Sequence, residues 1–360
     1  MSALIVPASI DELAEIVRSC PRLLAIGAGT KPRLSEVDVT KVSMSRMRGI
    51  VEYEPTEFTF TALAGTLLQE LESTLVSRGQ YLPFDPLLTE AGATLGGTVA
   101  AGLSGPGRIR FGGLKDFILG VRFVDGLGRI LRAGGKVVKN AAGFDLPKFF
   151  VGSLGRFGVL AELTFKVFPA PVSNLILKLR AADIELAGRI LVEAANSRWE
   201  PGALDILPHS CNVCLRLGGP APAIEEIATE ILARWPGEKL SPQEAQTTRN
   251  DLREFRWAFA DGPLIKLALT PTAVPTLYRE LQRFDGVRLH ITSGGNIAFV
   301  SLPSSDQAAA FNETLSRLNM PAVTLRGQGP LWLGPQNRLD ITRSVKAALD
   351  PENRFPGLDE

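Results

Sequence analysis

Residues 93–102, Ala93-Thr94-Leu95-Gly96-Gly97-Thr98-Val99-Ala100-Ala101-Gly102, are almost free of bulky and charged side chains. They follow Pro83-Phe84-Asp85-Pro86, a segment made rigid by its two prolines. Residues this small let another group lie directly against the backbone. Two interpretations are open for this segment taken alone. One is a site for a flat or extended ligand, and the other is a close contact between two helices.

Upstream, an apolar strand, Leu23–Ile26, runs into the glycine turn Gly27-Ala28-Gly29-Thr30-Lys31. Such a turn can present several backbone N–H groups to a diphosphate, and Thr30 adds a hydroxyl donor. The turn does not match a Rossmann dinucleotide site, because Pro32 replaces the third glycine and no helix follows. It does not match a P-loop either, because Gly-Lys-Ser/Thr is missing. An ordinary strand-ending turn remains the alternative.

Downstream, residues 134–146 and 152–160 place polar groups between glycines at spacings unlike those of a helix or strand. The first stretch reads Gly-Gly-Lys-Val-Val-Lys-Asn-Ala-Ala-Gly-Phe-Asp-Leu, and the second reads Gly-Ser-Leu-Gly-Arg-Phe-Gly-Val-Leu. A solvated loop would explain the charges. It would not explain Phe149, Phe150 and Leu154, which favour burial.

Composition argues against several classes of protein. The 360 residues carry 39 Lys and Arg against 38 Asp and Glu, whereas a nucleic-acid-binding domain normally has a basic excess. No apolar run approaches the length of a membrane span, and the first residues lack the basic start of a secretory signal. Three cysteines and two histidines indicate neither a disulfide framework nor a His-rich metal site. We therefore expect a cytoplasmic protein without nucleic-acid binding or a membrane span.

Glycine usage divides the chain, since 22 of the 35 glycines lie at or before Gly158. Pro169-Ala170-Pro171 ends this part, and short strands then alternate with amphipathic helices. We predict a first domain over residues 1–170 and a second over residues 171–330. Residues 331–360 are predicted to pack back on the first domain. The fold class is α+β.

The apolar periodicity also predicts individual elements. In the first domain they are helices Ile10–Ser19 and Leu67–Arg78, strand Leu23–Ile26, a β-rich stretch at Ile50–Ala64, and strands near Val121–Val124 and Leu160–Val167. In the second domain the strands are Leu175–Leu179, Ala203–Leu207, Val213–Leu217, Leu264–Leu269, Val287–Ile291, Ile297–Leu302 and Ala322–Leu325. The helices between them are Ile184–Ser197, Ile224–Ala233, Val274–Phe284 and Gln307–Leu318, with a polar helical stretch at Ala245–Phe259. This order predicts two βαββα-like halves in one antiparallel sheet.

Several motifs follow one another along the chain in a fixed order. They are Gly27-Ala28-Gly29-Thr30-Lys31, Leu82-Pro83-Phe84-Asp85-Pro86, Ala93–Gly105, Gly120-Val121-Arg122, Lys139-Asn140-Ala141-Ala142-Gly143-Phe144-Asp145, Gly152–Leu160, and a tail with Val345–Pro351 and Phe355-Pro356-Gly357. Together they resemble the FAD-binding oxidoreductases with the vanillyl-alcohol-oxidase (PCMH-type) fold. Within that family the resemblance is to the smaller FAD-binding subunits of bacterial glycolate oxidase. It implies a two-subdomain PCMH-type domain followed by the α+β domain, and it is patchy over residues 175–330.

The resemblance also implies where the cofactor binds. In the family the first glycine turn holds the FAD diphosphate, which maps to Gly27, Ala28, Gly29, Thr30 and Lys31. The small-residue segment lines the other side of the cofactor and maps to Thr94, Gly96, Gly97, Thr98, Ala101 and Gly102. Main-chain groups that contact the nucleotide map to Val159 and Leu160. Covalent attachment in relatives needs a His or Cys in these loops. Neither occurs here, so FAD is expected to be non-covalent.

A turn in the second domain bears on catalysis. Related dehydrogenases place histidines around a Gly-Asp-Gly-Asn turn for metal binding or base duty. The matching turn here is Thr292–Ala298, where Gly294 replaces the aspartate, Ala298 replaces the second histidine, and His290 lies out of register. The resemblance therefore implies a subunit that binds FAD beside a larger FAD-containing catalytic subunit and an iron–sulfur subunit. The catalytic residues stay unassigned.

The complex so implied oxidises glycolate, or another small 2-hydroxy acid, to glyoxylate or the matching keto acid. It would be cytoplasmic, or peripheral to the inner membrane through its partners. Two alternatives stay open. One is a self-sufficient FAD-dependent 2-hydroxy-acid dehydrogenase. The other is a non-catalytic assembly subunit with a vestigial flavin site.

The remaining candidate residues have ordinary explanations. His209 is predicted to be a surface or structural histidine, and His290 to be structural, with a role in substrate binding as the alternative. Cys211-Asn212-Val213-Cys214 is a single CxxC pair, which cannot complete a four-ligand zinc or iron–sulfur site, so no metal site is expected. Arg326 and Lys139 could hold a carboxylate, or each could be a solvated charge.

Overall fold

The structure is a computed structural model that describes residues 4–135, 144–336 and 339–360, with only the main chain of Leu339. The chain forms two units. The first takes in the described parts of residues 1–104, 113–170 and 337–360, and the second takes in residues 105–112 and 171–336. Each unit is therefore assembled from segments that are not contiguous in the sequence.

The strands and helices are numbered in chain order. The strands are β1 (Leu23–Ile26), β2 (Thr40–Ser43), β3 (Ile50–Glu54), β4 (Thr59–Leu63), β5 (Gln80–Tyr81), β6 (Ile118–Val124), β7 (Ile130–Gly134), β8 (Val159–Lys166), β9 (Phe168–Pro169), β10 (Ser173–Leu179), β11 (Ala203–Ile206), β12 (Val213–Gly219), β13 (Gly237–Lys239), β14 (Leu264–Ala268), β15 (Arg288–Thr292), β16 (Ile297–Ser301), β17 (Ala322–Arg326) and β18 (Trp332–Leu333). The helices are α1 (Ile10–Ser19), α2 (Leu68–Val76), α3 (Leu95–Ala101), α4 (Arg108–Phe111), α5 (Leu114–Phe117), α6 (Leu146–Phe149), α7 (Ile184–Ala195), α8 (Ala221–Arg234), α9 (Pro242–Arg253), α10 (Val274–Leu281), α11 (Ala308–Arg317) and α12 (Leu339–Leu349). Short 3₁₀ helices cover Pro32–Ser35, Pro55–Glu57, Pro271–Ala273, Ser293–Gly295 and Ser305–Gln307.

The first unit is built on a five-stranded antiparallel sheet in the order β3-β4-β8-β6-β7. The central strand β8 buries every residue except Glu162 and Lys166, which are partly exposed, a pattern typical of a strand covered on both faces. On one face, Phe60 of β4 stacks on Phe165 of β8 with ring centroids 5.9 Å apart. β1 and β2 form a separate parallel pair.

Two helices of the first unit show what local sequence signals can and cannot predict. α1 covers the predicted residues, because Ser9 caps it and its buried face is apolar. α3 lies within the small-residue segment and was not predicted, since glycine inside a helix costs about 1 kcal/mol relative to alanine. Thr94 caps the start of α3, and Gly102 ends it with a φ of +61°, a conformation that glycine adopts without strain.

The last residues of the chain are bound into the first unit through a buried cation. Lys346 of α12 donates from Nζ to the Asp350 carboxylate at 2.5 Å. The same Nζ donates to the main-chain carbonyls of Arg156, Phe355 and Pro356 at 2.7, 3.1 and 3.1 Å. Asp350 is buried, so its negative charge is stabilised by the ion pair with Lys346.

The second unit is a nine-stranded sheet in the order β13-β10-β12-β11-β15-β16-β14-β17-β18, in which the paired strands are antiparallel. The order β10-α7-β11-β12-α8 recurs as β14-α10-β15-β16-α11, as predicted. The helices pack on one apolar face of the sheet, with Leu177, Leu215 and Val300 in its core. The two halves meet where β11 and β15 pair at Ile206 and Ile291.

The contacts of the Lys346 amine with Asp350 and three main-chain carbonyls, called here the Lys346 clamp, give the first prediction. Lys346→Met should destabilise the first unit by about 3–5 kcal/mol, because it leaves a buried carboxylate without its cation. Urea unfolding followed by circular dichroism measures the change. Arg343→Met, which removes an exposed pair with Asp340 on the same helix, is the matched control and should cost under about 0.5 kcal/mol. Equal effects of the two substitutions would contradict the clamp.

Candidate functional site

A cleft opens in the first unit at the carboxyl end of β1. The turn after β1, helix α3 and residues 153–160 form its walls, and its empty volume is about 800 Å³ including the open mouth. The cleft is lined by Leu24, Ala25, Ile26, Gly27, Ala28, Gly29, Thr30, Lys31, Leu34, Ser35, Met44, Ala64, Thr94, Gly96, Gly97, Ala100, Ala101, Ser153, Leu154, Gly155, Gly158 and Leu160.

The turn after β1 presents main-chain donors. Within the described residues, the N–H groups of residues 28–31 donate to no protein acceptor. Gly29 has a φ of +70°, and a Cβ there would meet no atom within 4 Å. Successive free N–H groups in a turn form a concave site that favours anions. The turn is therefore open to an anionic ligand from the cleft.

Lys31 adds a cation to this turn. Its side chain is only 8 % exposed, and its Nζ donates to Thr30 Oγ1 at 2.9 Å. Among the described residues, no carboxylate forms an ion pair with it. Burial lowers the pKa of Lys31 to about 8, because the charged ammonium has lost its hydration. An anion in the cleft would restore the charge balance.

The carbonyl groups that follow in the chain are already occupied. Lys41 Nζ donates to the carbonyls of Ser35 and Val37, each at 2.6 Å. Arg156 donates to the carbonyl of Leu34 at 3.2 Å. These cations hold the segment after the turn through its acceptors. The N–H groups of residues 28–31 and the Lys31 amine therefore remain available to a ligand.

The two adjacent glycines of α3 have different roles. A Cβ on Gly96 would lie 2.7 Å from Ala64 Cβ, so Gly96 permits close packing of α3 on the end of β4. A Cβ on Gly97 would meet only the capping hydroxyl of Thr94 at 2.9 Å. The open side of Gly97 is the cleft. Gly97 therefore leaves room for a ligand, whereas Gly96 leaves room for the protein itself.

The first N–H groups of α3 have partners within the protein. The N–H of Leu95 donates to Thr66 O and that of Gly96 donates to Ala64 O, at 2.9 and 2.8 Å. The N–H of Gly97 donates to Thr94 Oγ1 at 3.2 Å. The start of this short helix therefore has no free N–H donors, whereas the N–H groups of residues 28–31 have no protein acceptor among the described residues.

The third wall contains residues that the sequence analysis did not single out. Ser153 is buried, and within the described residues its Oγ has no hydrogen-bond partner. Leu154 donates its N–H to Ala100 O at 2.9 Å, which ties this wall to α3. Gly155 of this wall and Ala100 of α3 also line the cleft without having been predicted as site residues. The motif Gly152–Leu160 points to this segment, but its sequence does not show which side chains reach the cleft.

Three residues assigned to the cofactor lie outside the cleft wall. Thr98 is on the buried side of α3, where its Oγ1 has no partner among the described residues. Gly102 ends α3, and a Cβ there would lie 3.1 Å from Gly152 Cα. Val159 is buried within the sheet, paired with Val124. Packing accounts for the small size of Gly102.

The other candidates lie in the second unit or outside the described residues. His290 is 2 % exposed, and burial lowers its pKa to about 3, so it is neutral. Arg326 donates to Phe259 O at 2.7 Å, and burial lowers its pKa. Cys214 is buried. Cys211 is half-buried, and its Sγ lies 4.0 Å from Tyr278 OH.

His209 is exposed, with a φ of +62°, in the turn between β11 and β12. Lys139 falls outside the described residues.

No group of three or more His, Cys, Asp or Glu side chains among the described residues could hold a metal ion. Nor does any helix in the described part of the chain have the length and hydropathy needed to cross a membrane.

Comparisons with known proteins agree with this geometry. Residues 1–134 match the model of the FAD binding domain family. The chain is 40 % identical over 209 residues to glycolate oxidase subunit GlcE of Escherichia coli, covering 58 % of this chain and 57 % of that protein. It is 26 % identical over 212 residues to glycolate oxidase subunit GlcD of Bacillus subtilis, covering 57 % and 45 %. The matched regions thus span about half the length of these relatives.

A solved structure extends the fold comparison. Alkyldihydroxyacetonephosphate synthase superposes with a TM-score of 0.71 over 98 % of this chain and 76 % of its own, at 18 % identity. The predicted α+β, PCMH-type fold is confirmed. The residues of the cleft suit FAD, since a turn with free N–H groups stands beside small residues that leave space for a ligand.

The open side of Gly97 generates the second prediction. Gly97→Leu should place a side chain in the cleft and weaken FAD binding at least tenfold, roughly the effect of overpacking a filled site. The fold should persist, because the helix gains a better helix former. Flavin absorbance after reconstitution measures occupancy, and circular dichroism measures folding.

Two further variants distinguish blocked access of FAD to the cleft from a loss of protein stability. Gly135→Leu is the control, since a Cβ at Gly135 meets no atom of the described residues within 4 Å and Gly135 is not among the residues that line the cleft. It should retain FAD. Gly96→Ala should lower the melting temperature because of its contact with Ala64. Full flavin occupancy in Gly97→Leu would show that the cofactor lies elsewhere.

Proposed function

We propose that this chain is an FAD-binding subunit of a glycolate (2-hydroxy acid) oxidase complex. It would hold FAD non-covalently in the cleft described above. The complex would oxidise glycolate to glyoxylate, with a larger flavoprotein as the catalytic subunit and an iron–sulfur subunit that carries the electrons onward. The observation that carries the proposal is the 40 % identity to the Escherichia coli glycolate oxidase subunit, together with the geometry of the cleft.

The cleft supports the binding part of this proposal. FAD would supply the redox chemistry by accepting two electrons from the substrate, and the protein would supply binding and orientation. The free N–H groups of residues 28–31 and the Lys31 amine suit the diphosphate. Gly97 and Ala101 leave space for the body of the cofactor.

The positions of the histidines and cysteines support non-covalent binding. Cys20 follows α1, and the other four such residues belong to the second unit. None of them is among the residues that line the cleft in the described part of the chain. A covalent flavin link to His or Cys therefore has no candidate there.

Features of the second unit support the proposal that a partner subunit performs the chemical step. Oxidation of a 2-hydroxy acid needs a base for the hydroxyl proton, and a base must be accessible to the substrate. At the turn after β15, Gly294 carries no acid and Ala298 is fully buried. His290 is neutral and enclosed between Trp257 and Phe299, with ring centroids 5.8 and 6.1 Å away. The carboxylate at this turn, Asp205, accepts from the N–H of Ser293 at 3.3 Å and is only 2 % exposed, so a substrate does not reach it. A turn without an accessible base suits a subunit whose partner performs the oxidation. We expect the complex in the cytoplasm.

A spectroscopic experiment tests the proposal. The chain is purified alone, reconstituted with FAD, and mixed with glycolate in the absence of oxygen. Flavin that stays oxidised alone but is reduced after the larger flavoprotein is added supports the proposal. Reduction in the isolated chain would indicate a self-sufficient dehydrogenase. A protein that never binds FAD would leave only an assembly role.

His290 provides the third prediction. His290→Ala should leave the glycolate activity of the assembled complex within about twofold and its pH profile unchanged, because no proton transfer depends on this side chain. His209→Ala, in the exposed turn between β11 and β12, is the matched control. Loss of activity in His290→Ala with normal assembly and FAD content would make His290 catalytic.

A further inference from the structure

The seam between the two halves of the second unit's sheet is open at one end. β11 and β15 pair at one position, Ile206 with Ile291, and the chain then turns back into the hairpin between β11 and β12. No main-chain hydrogen bond joins residues 207–210 to residues 287–290 in the described part of the chain. The start of β15 therefore pairs with β16 and, among the described residues, with no main chain on its other side.

A cavity occupies this open end. Its empty volume is about 840 Å³ including the open mouth, and the start of α7, the end of α10 and the turn before β15 surround it. Its floor is apolar, because Ile206 and Leu281 are buried there and Phe284 and Leu289 are partly buried. Gln282, an exposed residue directly after α10, lies at the mouth. Such a floor favours contact with an apolar group over contact with water.

The other end of the same seam is closed by a short segment of polypeptide. Residues 105–112 belong to the second unit, although the residues on both sides of them belong to the first. Ile109 of this segment packs against the core of the second unit, and a Cβ on Gly294, in the turn after β15, would lie 2.5 Å from Ile109 Cδ1. Ser293 of the same turn donates its N–H to Asp205 of β11 at 3.3 Å. An aliphatic side chain, carried by a segment distant in sequence, thus fills this end.

The internal repeat makes the two ends equivalent. Because the order β10-α7-β11-β12-α8 recurs as β14-α10-β15-β16-α11, the turn after β11 corresponds to the turn after β15. The closed end lies beside the end of α7, where a Cβ on Gly294 would lie 4.0 Å from Ala195 Cβ. The open end lies beside the start of α7, since Ile184 lines the cavity. The cavity therefore offers the same kind of apolar space that Ile109 fills at the closed end.

We propose that the open end of this seam is the docking site for a partner subunit of the complex, which inserts one aliphatic side chain carried on a short polypeptide segment. The inference rests on the proposed function, because a subunit of a complex needs an interface, and it adds the place and the chemistry of that interface. Burial of the aliphatic group in the cavity supplies affinity. The unpaired main chain at the start of β15 supplies hydrogen bonds to the main chain of the segment, as in strand addition.

Binding of the full chain to the purified larger flavoprotein and the purified iron–sulfur subunit tests the proposal. Gln282→Trp places an indole over the mouth of the cavity and should weaken assembly by about tenfold or more, since it blocks the centre of the interface. Gln282→Ala leaves the mouth open and should bind within about twofold of the wild type. Gln243→Trp, at an exposed position of α9 that does not line the cavity, is the matched control and should also bind within about twofold. Biolayer interferometry gives the dissociation constants.

A cross-linking experiment identifies the occupant of the cavity. Gln282→Cys and Gln243→Cys are labelled with a benzophenone maleimide and irradiated in the assembled complex, and the products are mapped by mass spectrometry. The unsubstituted chain, labelled in the same way, corrects for the native cysteines. A cross-link from residue 282, but not from residue 243, to a partner segment that contains Val, Leu or Ile supports the proposal. A cross-link from residue 282 to a second copy of this chain, or no cross-link from it in an assembled complex, would overturn the proposal.

The outcomes separate this inference from the proposed function. A Gln282→Trp chain that assembles as tightly as the wild type would contradict the docking site and leave the glycolate oxidase complex standing. A wild-type chain that binds neither subunit would contradict both. Circular dichroism and flavin content should show that Gln282→Trp is folded, because residue 282 is exposed and the cavity and the candidate FAD cleft belong to different units.

Discussion

The cleft of the first unit depends on the contact between α3 and the end of β4. Gly96 lies so close to Ala64 that there is room for the Cβ of Ala64 but not for a second Cβ on residue 96. The N–H groups of Leu95 and Gly96 fix the helix there through main-chain hydrogen bonds to Thr66 and Ala64. On the other side, a Cβ at Gly27 would overlap Thr94 Oγ1, so the turn after β1 also reaches α3 without an intervening side chain. The small residues thus serve the packing first, and the remaining open positions, Gly29 and Gly97, define the space for a ligand.

The polarity of this cleft follows from its backbone. The carbonyls after the turn accept from Lys41 and Arg156, while the N–H groups of residues 28–31 have no protein acceptor in the described part of the chain. The cleft therefore offers these N–H groups and the Lys31 amine to a ligand. Such an arrangement of donors favours an anion. This supports the same cofactor class that the family match indicates, by a physical argument independent of sequence similarity.

Local signals in the sequence were sufficient for much of the fold. α1 and β1 lie at the predicted residues, and the repeated strand and helix order of the second unit follows from apolar periodicity. α3 was missed because main-chain contacts with residues distant in sequence stabilise it despite its two glycines. In the candidate site, the free donors of the glycine turn could be anticipated. The burial of Ser153 and Lys31 could not, because each depends on walls brought together by the tertiary structure. Likewise, no change in composition marks residues 105–112 as part of the second unit.

The route of the chain through the two units has a consequence for protein synthesis. The second unit is complete once residue 336 has left the ribosome, since its segments are residues 105–112 and 171–336. The first unit still lacks Lys346, Asp350 and the main-chain pairing of Gly126 with Leu349 and of Leu23 with Arg354 at that point. The nascent chain therefore finishes its later-encoded unit before its earlier one. The contacts of residues 346–354 with the first unit form only after this last segment has emerged.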